Sequence, residues 1–250
     1  MVDPDALVAY CDRLLAAGDF DDYAPNGLQV EGERSITRLA SGVTASADLI
    51  EAATAWGADA ILVHHGWFWK SEPPCLVGMK GRRARQLFKA GASLIAYHLP
   101  LDAHPVLGNN AALARRLGWV DAEPAADRRG LLWSGRLSLG CSPDAFAAQV
   151  SERLGRHATL IAAGRERIDR IAWCTGGGQG YIEQAAALGV DAYLSGEISE
   201  QTTHAARELG IAFVAAGHHA TERYGVQALG GHLAERFGLE HRFIDIDNPA

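Results

Sequence analysis

Three short segments of this 250-residue chain carry side chains that bind metals. The first is the adjacent pair His64-His65, followed by Gly66. The second runs Tyr97-His98-Leu99-Pro100-Leu101-Asp102-Ala103-His104. The third is Gly217-His218-His219-Ala220-Thr221-Glu222-Arg223. Each has an ordinary reading by itself. A histidine pair can sit in a core, Asp102 can cap a turn, and Glu222 can be a first-turn acid favoured by the helix dipole. Together they offer five candidate ligands: His64, His65, Asp102, His218 and Glu222. That exceeds what one catalytic zinc takes, and it leaves open positions if two divalent ions share the set. Imidazole with carboxylate accommodates zinc, iron, manganese, cobalt or nickel. The chemistry such a pair supports is hydrolysis by activated water, with His98 and His219 expected to orient a ligand or move a proton.

Strands must deliver these residues. The apolar run 58–63 predicts a strand buried on both faces, ending at the histidine pair. Strands predicted over 93–97 and 211–215 lead into the second and third segments. In open α/β sheets the crevice beyond the carboxyl ends of strands is the usual ligand site. Consecutive imidazoles diverge along a strand, so His64 and His65 suit different ions. His218 and Glu222, four apart, share a face if the helix predicted over 221–237 begins early enough.

The remaining periodicities predict helices over 7–15, 47–56, 82–90, 109–117, 143–154, 181–188 and 202–209. Strands are predicted over 38–44, 131–137, 170–175, 192–195 and 241–246, with a loop around Asp22, Pro25, Asn26 and Gly27. Strand and helix alternate, so the fold class is α/β with mixed, largely parallel sheets. The polar stretch 119–130 is the best boundary, giving halves of 1–122 and 123–250, with the last strand an option for return to the first half. Nothing repeats at the level of sequence.

Three other features stand out. Gly176-Gly177-Gly178-Gln179-Gly180 lies between a strand and a helix but lacks both the dinucleotide and the P-loop spacing. It is either a tight turn or an anion loop. Trp67, Phe68 and Trp69 are expected to pack or to line a cavity mouth. Glu197, Glu200 and His204 follow the strand over 192–195; Glu200 and His204, four apart, read as an exposed polar pair, with a substrate contact as the lesser alternative.

The net charge of −7 argues against a general binder of phosphate backbones, although bound metals could still attract a small anionic substrate. No apolar run reaches the length of a membrane span, and the start carries no signal-peptide pattern. Four scattered cysteines without a C-x-x-C pair fit reduced thiols, so a cytoplasmic location is expected.

Taken in order, the segments 22–32 (DYAPNGLQVEG), 42–46 (GVTAS), 57–70 (GADAILVHHGWFWK), 98–114 (HLPLDAHPVLGNNAALA), 172–186 (AWCTGGGQGYIEQAA), 195–210 (SGEISEQTTHAARELG), 215–225 (AAGHHATERYG) and 243–250 (FIDIDNPA) resemble the Nif-three/YbgI family. Its members often carry the name GTP cyclohydrolase I type 2 homologue. The match covers most of the chain, is weaker over 119–169, and points to the short bacterial members without an inserted domain. The resemblance implies a dinuclear centre on His64, His65, Asp102, His218 and Glu222. It also implies two interlinked α/β sandwich-like halves and a homohexamer whose sites face an internal cavity. A small-molecule substrate follows, with a nucleotide as one option. The rival expectation is a non-enzymatic metal-binding scaffold or regulator.

Overall fold

Capping and stop signals set most of the elements in this computed structural model, which describes residues 1–70, 72–125 and 129–250. α1 (Pro4–Leu14) opens on Asp3, whose carboxylate accepts from the amides of Asp5 and Ala6. β1 (Gly27–Val30) and β2 (Arg38–Thr44) follow. α2 (Ala47–Trp56) is capped by Ser46 and stopped by Gly57 in the left-handed conformation. β3 (Ala60–His65) is buried along its whole length. Next come α3 (Gly78–Ala90), β4 (Ser93–Ala96) and the short α4 (Leu99–Ala103). α5 (Asn109–Leu117), β5 (Val120–Pro124), β6 (Trp133–Cys141) and α6 (Pro143–Leu154) continue the chain. β7 (Thr159–Ile161) and β8 (Ile168–Cys174) precede a 3₁₀ turn at Gly178–Tyr181 that enters α7 (Ile182–Ala187). β9 (Ala192–Ser195), α8 (Glu200–Leu209), β10 (Ala212–Ala215), α9 (His218–Phe237) and β11 (Glu240–Phe243) complete it.

The chain divides into two compact units. The first joins Met1–Leu101 with Gly225–Ile246, and the second joins Asp102–Tyr224 with Asp247–Ala250. The division therefore falls inside α4 and again inside α9. Unit one holds a sheet in the order β1-β4-β3-β2-β11, and unit two a sheet in the order β5-β6-β8-β9-β10-β7. Three consecutive parallel strands form the middle of each, β2-β3-β4 and β8-β9-β10. An antiparallel edge strand flanks the third of them, β1 beside β4 and β7 beside β10. The fold is thus mixed α/β, as the alternation predicts.

An aspartate before each middle strand ties it to the first. The carboxylate of Asp59 accepts from the Thr37 and Arg38 amides and from the Thr37 hydroxyl. The carboxylate of Asp191 accepts from the amides of Asp169 and Arg170. Below the sheets lie apolar cores: Leu49, Ile50, Ile61, Val63, Leu87 and Leu94 in unit one, and Phe146 with Trp119, Trp133 and Trp173 in unit two. Trp119 and Trp173 approach to 4.7 Å between ring centroids, a tilted pairing that adds to area burial.

Several boundaries move. The expected loop over 98–104 contains α4. β1 and β7 were not expected, because edge strands this short carry too few alternations to register. Part of the polar stretch 119–130 is β5, an exposed edge strand whose polarity reflects its position. Residues 126–128 of that stretch lie outside the described residues. No helix among the described residues is long and apolar enough to cross a membrane.

Candidate metal centre

In unit one, β3 ends in His64 and His65, both buried. The Nδ1–H of His64 donates to the Tyr97 carbonyl at 2.9 Å. A carbonyl only accepts, so a neutral His64 carries its lone pair on Nε2. Tyr97 is itself held, since its hydroxyl donates to the Asp12 carboxylate at 2.7 Å and to the Val8 carbonyl. Nδ1 of His65 lies 3.1 Å from the Thr44 hydroxyl at the end of β2. His98 follows β4 and completes a group in which one ring nitrogen from each histidine lies within 4.8 Å of the others.

In the loop that leads into β1, Asp22 and Asn26 hold His98. The Asp22 carboxylate accepts from His98 Nδ1 at 2.9 and 3.1 Å and from the Leu99 amide. Asn26 accepts from the His98 amide at 2.8 Å and donates back to Asp22. Burial by itself would raise the Asp22 carboxyl. The His98 hydrogen bond and charge, with the Ala24 amide and Asn26, outweigh it and hold the group at about 2. A carboxylate behind an imidazole is the usual support for a metal-binding histidine. His98 therefore suits a third imidazole ligand as well as the proton-handling role expected from sequence.

Unit two collects carboxylates. Asp102, in the last turn of α4, is buried and accepts from the Asn109 amide group at 2.8 Å and from the Thr175 hydroxyl at 3.3 Å. Asn110 donates to the Asp102 carbonyl and accepts from the Thr175 amide, which locks the α5 start to the end of β8. α9 begins at His218, three residues before the predicted start, so His218 and Glu222 do share a face. His218 Nε2 lies 3.1 Å from Glu222 Oε2, and its Nδ1 lies 2.7 Å from Glu197 Oε1. Carboxylate oxygens of Asp102 and Glu222 approach within 4.8 Å. Burial pushes the His218 imidazole down, but Glu222 and Glu197 overcome this and raise it to about 9. A cation entering here must displace that proton, which couples its affinity to pH.

The Gly-rich run resolves as part of this group. Gly176 has φ +61°, and a Cβ there would run into Glu222 Oε1 and come within 3.0 Å of His218 Nε2. Its amide donates to the Thr221 hydroxyl at 3.0 Å, and Gln179 donates to Glu197 at 3.2 Å. The run is a tight turn that leaves room for ligands. His219 is buried beside His218 but joins neither group among the described residues. Glu200 and His204 are exposed on α8. Sequence reasoning missed Asp22, Asn26, Thr44 and Asn109 as supports. The available signal was polar residues of fixed geometry, Asn and Asp, inside otherwise apolar surroundings.

The donor set fits a divalent cation. It offers histidines whose second nitrogen is tied to a protein acceptor, and buried carboxylates with hydrogen-bond support. The site and fold therefore define an α/β protein with histidine and carboxylate groups that could hold metal at the carboxyl ends of parallel strands. The chain belongs to the DUF34/NIF3 family, whose model, described as Duf34/NIF3 (NGG1p interacting factor 3), matches residues 3–249. It is 69% identical over 250 residues to a GTP cyclohydrolase 1 type 2 homolog of Allochromatium vinosum, covering 100% of this chain and 98% of that one. A protein of the same name from Pseudomonas aeruginosa is 57% identical over 246 residues, covering 98% and 97%. A solved structure of protein ybgI, of unknown function, superposes with TM-score 0.95 at 47% identity over 99% of both chains. TTHA1606 from Thermus thermophilus gives 0.90 at 34% over 100% of both.

Proposed function

We propose that the two ligand groups serve one dinuclear metal centre and that the protein is a metal-dependent hydrolase. His64, His65, Asp102, His218 and Glu222 are the proposed residues that would hold the ions. Chain connectivity supports joining the groups, because His98 and Asp102 are only four residues apart across α4. The observation that carries the reading is the gathering of three imidazoles within 4.8 Å in one unit, with paired acids in the other. Bound divalent ions would supply Lewis acidity, which lowers the pKa of water toward neutrality. The chain supplies the rest. Asp22 orients His98, Glu197 orients His218, and His98 or His219 accepts and returns a proton next to the substrate.

The relatives' name, GTP cyclohydrolase 1 type 2 homolog, makes purine-ring opening one candidate reaction. Phosphoester or amide hydrolysis would use the same groups. The family resemblance extends the proposal to a cytoplasmic homohexamer, which sedimentation would test. The deciding experiment screens protein reconstituted with zinc, iron, manganese, cobalt or nickel against nucleotide, phosphoester and amide panels. We expect metal-dependent turnover that His65→Ala abolishes while circular dichroism and oligomeric state stay unchanged. Wild type and variant equally inert across all panels, with a protein partner captured only when metal is present, would replace the hydrolase with a metal-binding scaffold.

A further inference from the structure

From Pro73 to Ala90 the chain carries five cations, Lys80, Arg82, Arg83, Arg85 and Lys89, and no acid. The whole chain stands at −7, so the rest of it, without these five, stands at −12. Positive charge is therefore set apart on α3 in an otherwise acidic molecule. The same stretch holds three large apolar side chains in solvent: Leu76 is 45% exposed, Val77 71% and Met79 53%. Apolar tips grouped beside like charges are uncommon on a free surface, and such patches mark interaction sites.

Helical spacing sets the arrangement. α3 buries Gly81, Ala84 and Leu87, which turns Met79, Arg82 and Lys89 outward in one row with Arg85 beside it. The lead-in to the helix is fixed in place. Lys80 donates to the Pro73 carbonyl at 3.0 Å, pairs with Glu72 at 3.0 Å and lies over the Phe68 ring. A Cβ at Gly81 would lie 2.5 Å from the Leu76 carbonyl oxygen and 3.6 Å from Arg85 Nη1. The apolar lead-in and the Arg85 guanidinium thus meet at one place. Lys80 is engaged inside the fold, whereas Arg82, Arg85 and Lys89 form no ion pair among the described residues.

We propose that residues 73–90 form a docking surface for an anionic lipid bilayer. Leu76, Val77 and Met79 enter the headgroup boundary, and Arg82, Arg85 and Lys89 meet lipid phosphates. Such a contact needs no spanning helix, and it takes apolar tips and cations together. A polynucleotide would engage the cations and leave the aliphatic tips in water. A second copy meeting this face with its own would set five cations against five. Nothing in the proposal depends on the metal reading.

Co-sedimentation of the full chain with vesicles tests it. One set is phosphatidylcholine alone, and the other is phosphatidylcholine mixed equally with phosphatidylglycerol. The protein should bind the mixed vesicles only, and high salt should release it. Arg82→Gln/Arg85→Gln/Lys89→Gln should weaken binding about 100-fold. Val77→Ser/Met79→Ser should weaken it about tenfold. The same loss of charge elsewhere, Arg13→Gln/Arg136→Gln/Arg207→Gln, should leave it within about threefold. Circular dichroism and sedimentation velocity should match the wild type in all three. Binding to neither vesicle, equal binding to both, or indifference to the first variant would overturn the assignment. A first variant that falls to a smaller species would instead place this face between copies of the chain. Capture of an oligonucleotide but not of vesicles would make the partner a nucleic acid.

Discussion

The two units share one wiring and differ in chemistry. In each, an antiparallel edge strand is followed in sequence by three parallel strands in the same spatial order. In each, an aspartate ahead of the middle strand accepts amides from the start of the first strand, Asp59 from Thr37 and Arg38, Asp191 from Asp169 and Arg170. The strand registers agree as well: Leu39 pairs with Ala60 as Ile171 pairs with Ala192. Carried forward at the same offset, Thr44 corresponds to Gly176 and His65 to Glu197. Unit one thus ends its middle strand in imidazoles and keeps a hydroxyl beside them. Unit two places glycines there, and the space goes to Glu222 and His218 arriving from α9. One backbone scheme presents imidazole nitrogens in one unit and mainly carboxylate oxygens in the other, groups that could hold a metal ion. The lesson is that a few residues just past the strand ends set the chemistry, while the strands set only where it happens.

That contrast can be broken most forcefully at the ligands. If the groups are complementary parts of one centre, His64→Ala and Glu222→Ala should each cost about 100-fold or more in metal affinity by calorimetry. Near-wild-type affinity in either variant would mean that one unit holds metal alone. A smaller effect is expected at the space itself. Gly176→Ala should lower metal affinity about tenfold, since the new methyl meets Glu222 and His218, whereas Thr44→Ala should change it about threefold or less. Equal effects at the two positions would show that the glycine serves only the turn.

The smallest effect concerns the shared aspartate. Burial raises the Asp59 carboxyl, but the Thr37 and Arg38 hydrogen bonds, with Arg34 nearby, prevail and lower it from the ordinary value. Its contribution is therefore present above the unfolded carboxyl value of about 4 and fades as pH falls through the lower folded value. Asp59→Asn should cost about 2 kcal/mol in denaturant unfolding at pH 7, and the penalty should shrink on acidification below about pH 4. Asp191→Asn, in a less buried setting, should cost about 1 kcal/mol. A reversed order would show that the two clamps are not equivalent in the way their registers indicate.

Much of this molecule is legible in its residues because the signals are local. The Pro143–Leu154 helix and the Ala192–Ser195 strand follow from a cap, a stop and a short apolar run. The candidate ligand segments are legible because three of them, each ordinary by itself, follow predicted strands and together offer His and acidic groups in number. The supports were not. Asp22 serves His98 and Asn109 serves Asp102 through geometry that no spacing rule encodes. The kinship of the two units was hidden as well, because backbone hydrogen bonds that define strand order are made by almost any side chain.

By itself, the sequence determined the α/β class, the position of His64 and His65 at the end of a buried strand, and the family. These depend on periodicity and residue type, which are properties of neighbours along the chain. Only the tertiary structure decided that His98 joins the imidazole group, that Gly176 clears a space for Glu222, and that Tyr23 and Trp69 flank the histidines. Those depend on which residues distant in sequence come within a few ångströms. That is settled by packing and hydrogen-bond geometry rather than by local preference.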